Sequence, residues 1–271
     1  MTASMACFVS GDAFVKLAGQ TIPMSEVICV RSICGAVFLL CLGVVLRTPH
    51  FGKTLSDRRV LARIGLDAGA SIFFLTALVH LPLASATAIN QATPLIITGI
   101  AMVVLKERVN ARKWLTILAG FAGVLLVVQP AGEDFNVWSL AVLFSSLLSA
   151  VRDIVTRTLD RQISALQIVL ASTVTLIPVS ALWGIADRWI PLSSGDVLVL
   201  ALAGFFVSTG YLLITFALRV GAVAVIVPFR YTALIFAALL GWAVWGDFPN
   251  ALAWLGIALI VMAGTYLLRS R

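Results

Sequence analysis

The sequence predicts an all-α polytopic membrane protein: ten transmembrane helices in two inverted-topology repeats of five, with both termini cytoplasmic. Three observations predict it. The 271 residues are 61% hydrophobic and 11% charged, with a mean hydropathy of +1.07, whereas soluble domains carry about 25% charged residues. Apolar runs of spanning length follow one another along the whole chain. Features of the first half recur about 140 residues later.

The runs fall at 2–18, 25–46, 63–80, 84–105, 112–129, 137–158, 164–184, 197–218, 222–245 and 251–268. Unbroken apolarity reads as helix, because barrel strands alternate at period two in segments of about ten residues. The gaps are polar or turn-forming, as in Thr48-Pro49-His50 and Gly246-Asp247-Phe248-Pro249. Ten spans of about 20 residues use roughly 200 and leave about 70 for loops, too few for an extramembrane domain. The first run has no basic segment before it and no small-residue cleavage site after it, so it reads as a helix, not a signal peptide.

Charge placement orients the chain. Arg47, Lys53, Arg58, Arg59 and Arg63 follow the second run, and Lys106, Arg108, Arg112 and Lys113 follow the fourth. Arg152, Arg157 and Arg161 mark the end of the sixth, Arg219 the end of the eighth, and Arg269 and Arg271 the tail. Fifteen of the 19 basic residues thus share one side, which the positive-inside rule makes cytoplasmic. The net charge of +7 is then topology, and no nucleic-acid partner is expected. Cys7, Cys29, Cys34 and Cys41 lack metal-ligand spacing and read as small buried residues.

The repeat is visible in single residues. Asn110-Ala111-Arg112-Lys113-Trp114-Leu115-Thr116-Ile117 and Asn250-Ala251-Leu252-Ala253-Trp254-Leu255-Gly256-Ile257 share Asn, Ala, Trp, Leu and Ile at the same places. Glu107 matches Asp247, Asp12 matches Asp153, and Lys16 matches Arg157. The halves are drawn as 1–134 and 135–271. Five spans per half invert the second relative to the first, and inverted pairs have two related arrangements, one open to each side. That symmetry serves a carrier.

These residues resemble the EamA-type members of the drug/metabolite transporter superfamily. The repeat endings LKERVNARKWLTILAGFAGVLLVV and WGDFPNALAWLGIALIVMAGTYLL carry the resemblance, together with the opening SGDAFVKLAGQTIPMSEVICVRSICGAVFLL. It covers essentially the whole chain and implies a ten-helix carrier in a bacterial cytoplasmic membrane. Asp247 departs from the family's usual Glu. The resemblance leaves the substrate open among amino acids, purines, sugars, vitamins and cofactors.

Polar groups inside spans are expensive, about 2.5–3.5 kcal/mol for a central charge on insertion scales, so they face a wet cavity or a partner. Asn90-Gln91 and Arg230-Tyr231 correspond at the repeat offset, near the middles of the fourth and ninth spans and beside Pro94 and Pro228. Proline leaves a carbonyl without its helical donor, which lipid tolerates only where neighbours or cavity water supply one. Polar pairs beside such breaks suit a substrate site, and interhelical hydrogen bonding is their bland alternative. Arg31 either faces the cavity or locks onto Asp12 or Asp67. Ser71 and Tyr211 correspond on the third and eighth spans, and Tyr211 suits stacking on a planar ligand. Asp12, Asp67 and Asp153 are candidates for proton coupling, while Asp12 and Lys16 share a helix face, which suits a mutual pair. Trp138, Trp183, Trp189, Trp242 and Trp245 read as interfacial anchors.

The function expected is transport of a small polar or amphipathic metabolite by alternating access, with no cofactor. A facilitative channel-like permease is the alternative, and a membrane scaffold or receptor a more distant one. No H-E-x-x-H or G-x-S-x-G motif occurs, and the two histidines, His50 and His80, lie at a loop and a helix end, which argues against an enzyme.

Overall fold

The computed structural model describes residues 1–46, 57–93, 95, 96, 100, 111–128, 136–157, 159, 163–220 and 227–269. Among these are ten α-helices, a 3₁₀ turn and no strand. The helices are α1 Thr2–Ala18, α2 Met24–Val45, α3 Arg58–Leu78, α4 Leu83–Asn90, α5 Ala111–Val128, α6 Trp138–Arg157, α7 Ala165–Trp183, α8 Ser194–Val220, α9 Thr232–Trp245 and α10 Ala251–Arg269. The 3₁₀ turn, Val227–Tyr231, leads into α9.

The helix ends follow local chemistry. Pro23 and Pro82 precede α2 and α4; a fixed φ suits a helix start, where no N–H partner is needed. Asp57 accepts the Arg59 N–H, and Ser164 with Gln167 forms a reciprocal capping box. Gly246, at φ 72°, closes α9 in the left-handed conformation.

Three boundaries differ from the sequence expectation. Helix α3 starts at Arg58, so Arg63 is a buried helical residue and not part of a loop. The span expected at 84–105 is interrupted after Asn90, turning at Gln91 and Ala92 before it is helical again at Thr93. The cause is residue 94, a proline, which brings no N–H to the Asn90 carbonyl; Thr93 Oγ1 donates to that carbonyl instead, at 2.7 Å. Pro94 itself lies outside the described residues. The span expected at 222–245 is α-helical only from Thr232, after the 3₁₀ turn that contains Pro228.

Helix α1 packs on α8 and α9, and α6 packs on α3 and α4; α2 packs on α8 and α7 on α3. The remaining principal pairs are α2 with α7, α4 with α9 and α5 with α10. This set is unchanged when each helix is exchanged for the one five places away. Small residues permit the closest crossings, as at other helix interfaces in lipid. A Cβ on Gly204 of α8 would stand 2.5 Å from the Arg31 carbonyl oxygen of α2, and one on Gly11 of α1 would meet Val207 of α8.

Met24–Val45, Arg58–Leu78, Trp138–Thr156, Ala165–Trp183 and Ser194–Ile214 are each long and apolar enough to cross a membrane. Leu118–Val128, Phe229–Trp245 and Ala251–Tyr266 are shorter apolar helices. Large apolar side chains stand on the outer surface, among them Val44, Leu182, Leu115 and Trp242. Lipid rather than water suits that surface.

Candidate functional site

The helices enclose a cavity of about 200 Å³. Its wall takes Asp12 from α1, Arg31 and Ser32 from α2, Arg63, Asp67 and Ser71 from α3, and Asn90 with Gln91 at the end of α4. Arg152 of α6, Ser172 of α7, Tyr211 of α8 and Arg230 of the 3₁₀ turn also line it, together with hydroxyl residues that include Thr87. Phe8, Val9, Phe74, Leu176, Val207 and Ile214 give it an apolar part. Phe8 and Tyr211 meet edge to face at 4.8 Å, so an aromatic corner stands beside the charged groups.

The two helix breaks meet. Gln91 caps α4, where the chain leaves the helix, and its Nε2 donates to the Arg230 carbonyl at 2.7 Å. That bond ties the fourth span to the ninth between the two dipeptides, Asn90-Gln91 and Arg230-Tyr231, that correspond at the repeat offset. Asn90 is anchored by Ser146 of α6, whose hydroxyl lies 3.3 Å from Oδ1. Arg31 is 7% exposed, and the glycine crossing of α2 on α8 sets its backbone in place.

One side of the wall is electrically closed. Arg152 Nη1 lies 2.5 Å from Asp67 Oδ1, while its Nη2 and Nε reach Asp153 Oδ1 at 2.9 and 3.0 Å. Arg63 lies 4.0 Å from Asp67 Oδ2 and donates to Ser172 Oγ at 2.7 Å and Thr156 Oγ1 at 3.1 Å. Two carboxylates and two guanidiniums therefore cancel between α3, α6 and α7. Asp12, Arg31 and Arg230 belong to no ion pair among the described residues. Arg230 Nε, Ser32 Oγ and Thr87 Oγ1 are buried without a hydrogen-bond partner there. An unmet buried polar group costs about 1–3 kcal/mol, and clusters of them mark sites that other molecules fill.

Seven of the singled-out polar residues thus share the wall with Asp67: Asp12, Arg31, Ser71, Asn90, Gln91, Tyr211 and Arg230. Tyr231 lies outside it. Its ring is buried against α10, where a Cβ on Gly264 would overlap the hydroxyl. Asp153 also lies outside and is held by Arg152. The expected pairing of Lys16 with Asp12 gives way to another. Lys16 donates to the Leu81 carbonyl at 2.7 Å, lies 3.5 Å from Asp247 and sits 4.7 Å from the Trp245 ring centre. One helical turn separates Lys16 from Asp12, but the α3–α4 junction and the end of α9 offer Lys16 better partners.

Arg63 and Arg152 are wall residues that sequence reasoning assigned to topology. Both stand near clusters of basic residues, where the positive-inside rule already accounts for a cation. The available signal was their spacing, since Arg63 and Asp67 are four residues apart on one helix. Ser32, Thr87 and Ser172 gave no signal, because small hydroxyl residues in spans commonly bond their own helix.

The sequence matches the EamA-like transporter family over residues 1–129 and 136–269. The chain belongs to that family. It is therefore an integral membrane protein of a transporter family. It is 28% identical to a riboflavin transporter of Brucella anthropi over 229 residues, covering 83% of this chain and 78% of that one. It is 26% identical to the pseudopaline exporter CntI of Pseudomonas aeruginosa over 266 residues, covering 96% and 91%. A Rickettsia bellii S-adenosylmethionine uptake transporter is 25% identical over 271 residues, covering 96% and 89%. A solved crystal structure shares the fold, with a TM-score of 0.66 at 20% identity, covering 99% of this chain and 98% of that one.

Proposed function

We propose that this protein is a secondary carrier of a small polar or amphipathic metabolite. It works by alternating access between two inverted five-helix repeats, 1–134 and 135–271, in a bacterial cytoplasmic membrane with both termini inside. The observation that carries the reading is the cavity, whose polar wall draws on both halves and joins them through Gln91 and Arg230. A carrier needs a site that both arrangements of the repeats share, and helix breaks at the repeat interface supply one.

The exchange of helices that leaves the packing unchanged supports the inverted repeat. On this topology Met5, Phe8 and Val9 of α1 and Ser149 and Arg152 of α6 lie in the cytoplasmic halves of their helices, while Asp12 and Arg31 lie beyond the midpoints toward the outer side. At the outer end, Lys16 bridges to Leu81 and Asp247, and Ser25 bonds Asp187 and accepts from Trp189. These contacts close the outer side.

The test is counterflow in proteoliposomes. Purified protein is loaded with unlabelled riboflavin, S-adenosylmethionine or an amino-acid mixture, and uptake of the labelled compound is followed. A carrier gives transient, saturable accumulation that requires internal substrate. Non-saturable flux without counterflow overturns the carrier in favour of a channel-like permease, and no flux of any compound favours a scaffold.

A further inference from the structure

Resting on the carrier reading, we infer that the cavity takes a small amphipathic organic anion, its carboxylate or phosphate held between Arg31 and Arg230. The charges of the wall do not balance. Among the described residues, Asp12, Arg31, Arg63, Asp67, Arg152 and Arg230 are the charged side chains of the wall. Asp67, Arg63 and Arg152 cancel with Asp153 behind the wall. Two guanidiniums and one carboxylate remain, an excess of one positive charge at mid-depth in the bundle.

An unbalanced charge in a low-dielectric interior is costly and is relieved when a counter-charge enters. A neutral solute leaves the excess in place, and a cation adds to it. A zwitterion answers Asp12 and one arginine but leaves the other guanidinium unmet. A singly charged anion answers the excess. Two forked guanidiniums also suit the paired oxygens of a carboxylate or phosphate.

The neutral groups agree. Ser32 follows Arg31 on α2, and its buried hydroxyl has no partner among the described residues. Thr87 lies one helical turn before Gln91, and its hydroxyl is likewise unmet. Both supply O–H donors for acceptor-rich oxygens. Phe8 and Tyr211 form the aromatic corner on the same wall, so the rest of the molecule has an apolar or planar body.

The test uses matched compounds on the purified full chain in nanodiscs, read by thermal stabilisation and by competition in counterflow. The first set is 3-phenylpropionate, its amide and phenylalanine; the second is riboflavin 5′-phosphate and riboflavin. The charged member of a set should bind about tenfold or more tightly than its neutral partner. The set that responds separates a carboxylate from a phosphate ligand. Arg31→Gln and Arg230→Gln should each weaken the anion by about ten- to a hundredfold and leave the neutral partner unchanged. Arg230→Lys, which retains the charge if the glutamine variant misfolds, should keep part of the preference.

Riboflavin binding as tightly as its phosphate, together with the amide matching the acid, overturns the anion. So does failure of every acid in the panel to bind. Phenylalanine binding most tightly, and losing that advantage in Asp12→Asn, overturns it in favour of a zwitterion. In each case saturable counterflow of another compound keeps the carrier, whereas its absence for all compounds removes the carrier itself.

Discussion

The group α1, α2 and α8 and the group α6, α7 and α3 pack alike but use their charges in opposite ways. In each, the first helix lies on the third and the second helix crosses the third. Asp12 of the first group corresponds to Asp153 of the second at the repeat offset. Around Asp153, the charges of α3 and α6 are joined from Arg63 through Asp67 to Arg152, with Ser172 of α7 fixing the near end. Around Asp12, Arg31 has no ion-pair partner among the described residues, and Ser32 beside it is unmet. One scaffold thus provides a rigid neutral wall and, opposite it, a wall with charge left for a ligand. A carrier benefits from that inequality, because only the open half then discriminates among solutes.

The contrast breaks most visibly at Arg152. Arg152→Ala leaves Asp67, 4% exposed, with Arg63 at 4.0 Å as its one remaining ion-pair partner among the described residues. Stranding a buried charge costs about 3–5 kcal/mol. Thermal unfolding in detergent should show a large fall in melting temperature, and Asp67→Asn added to it should recover part of the loss. Arg31→Ala probes the open half. Its melting temperature should fall less than that of Arg152→Ala, because Arg31 faces Asp12 but makes no ion pair within 4 Å and no side-chain hydrogen bond among the described residues, while counterflow should fall at least about tenfold. Equal destabilisation by both variants would erase the distinction between the halves.

Asp12→Asn sharpens the comparison. Asp12 belongs to the open group and faces Arg31 of α2, which in turn stands near Tyr211 of α8 and Asp67, the latter held by arginines. If coupling to protons resides there, the pH dependence of transport disappears in Asp12→Asn and persists in Asp153→Asn. Unchanged pH profiles in both, and in Asp67→Asn, exclude proton coupling through these carboxylates. Lys16→Met tests the outer closure. Asp247 is 38% exposed at its side chain, so solvent screening keeps the stability loss near about 1 kcal/mol. The rates of counterflow should shift more than the melting temperature. Tyr231→Phe is the smallest change. The hydroxyl has no partner among the described residues, so stability should stay within about 0.5–1 kcal/mol and transport should match wild type.

Helix positions were legible because apolarity over about 20 residues leaves few alternatives in lipid. The break after Asn90 was legible in Pro94, and the correspondence of Asn90-Gln91 with Arg230-Tyr231 in their spacing, whereas the bond from Gln91 to Arg230 was not. Tyr231 was placed in the site by adjacency to Arg230, but the 3₁₀ turn sends the two side chains to different surroundings, one to the cavity and one to Gly264. Lys16 was assigned to Asp12 by helical periodicity alone, which says nothing of the Leu81 carbonyl reaching it from another helix.

By itself the sequence determined the membrane, the ten helices, the family resemblance and which polar residues had to be explained. Those follow from hydropathy and residue spacing, which act along the chain. Only the tertiary structure decided which charges neutralise one another. Arg152 meets Asp67 across 85 positions, and Arg31 is left to the cavity. Ion pairing depends on distance in space, and in a bundle that distance is set by which helices cross and how closely their glycines let them approach.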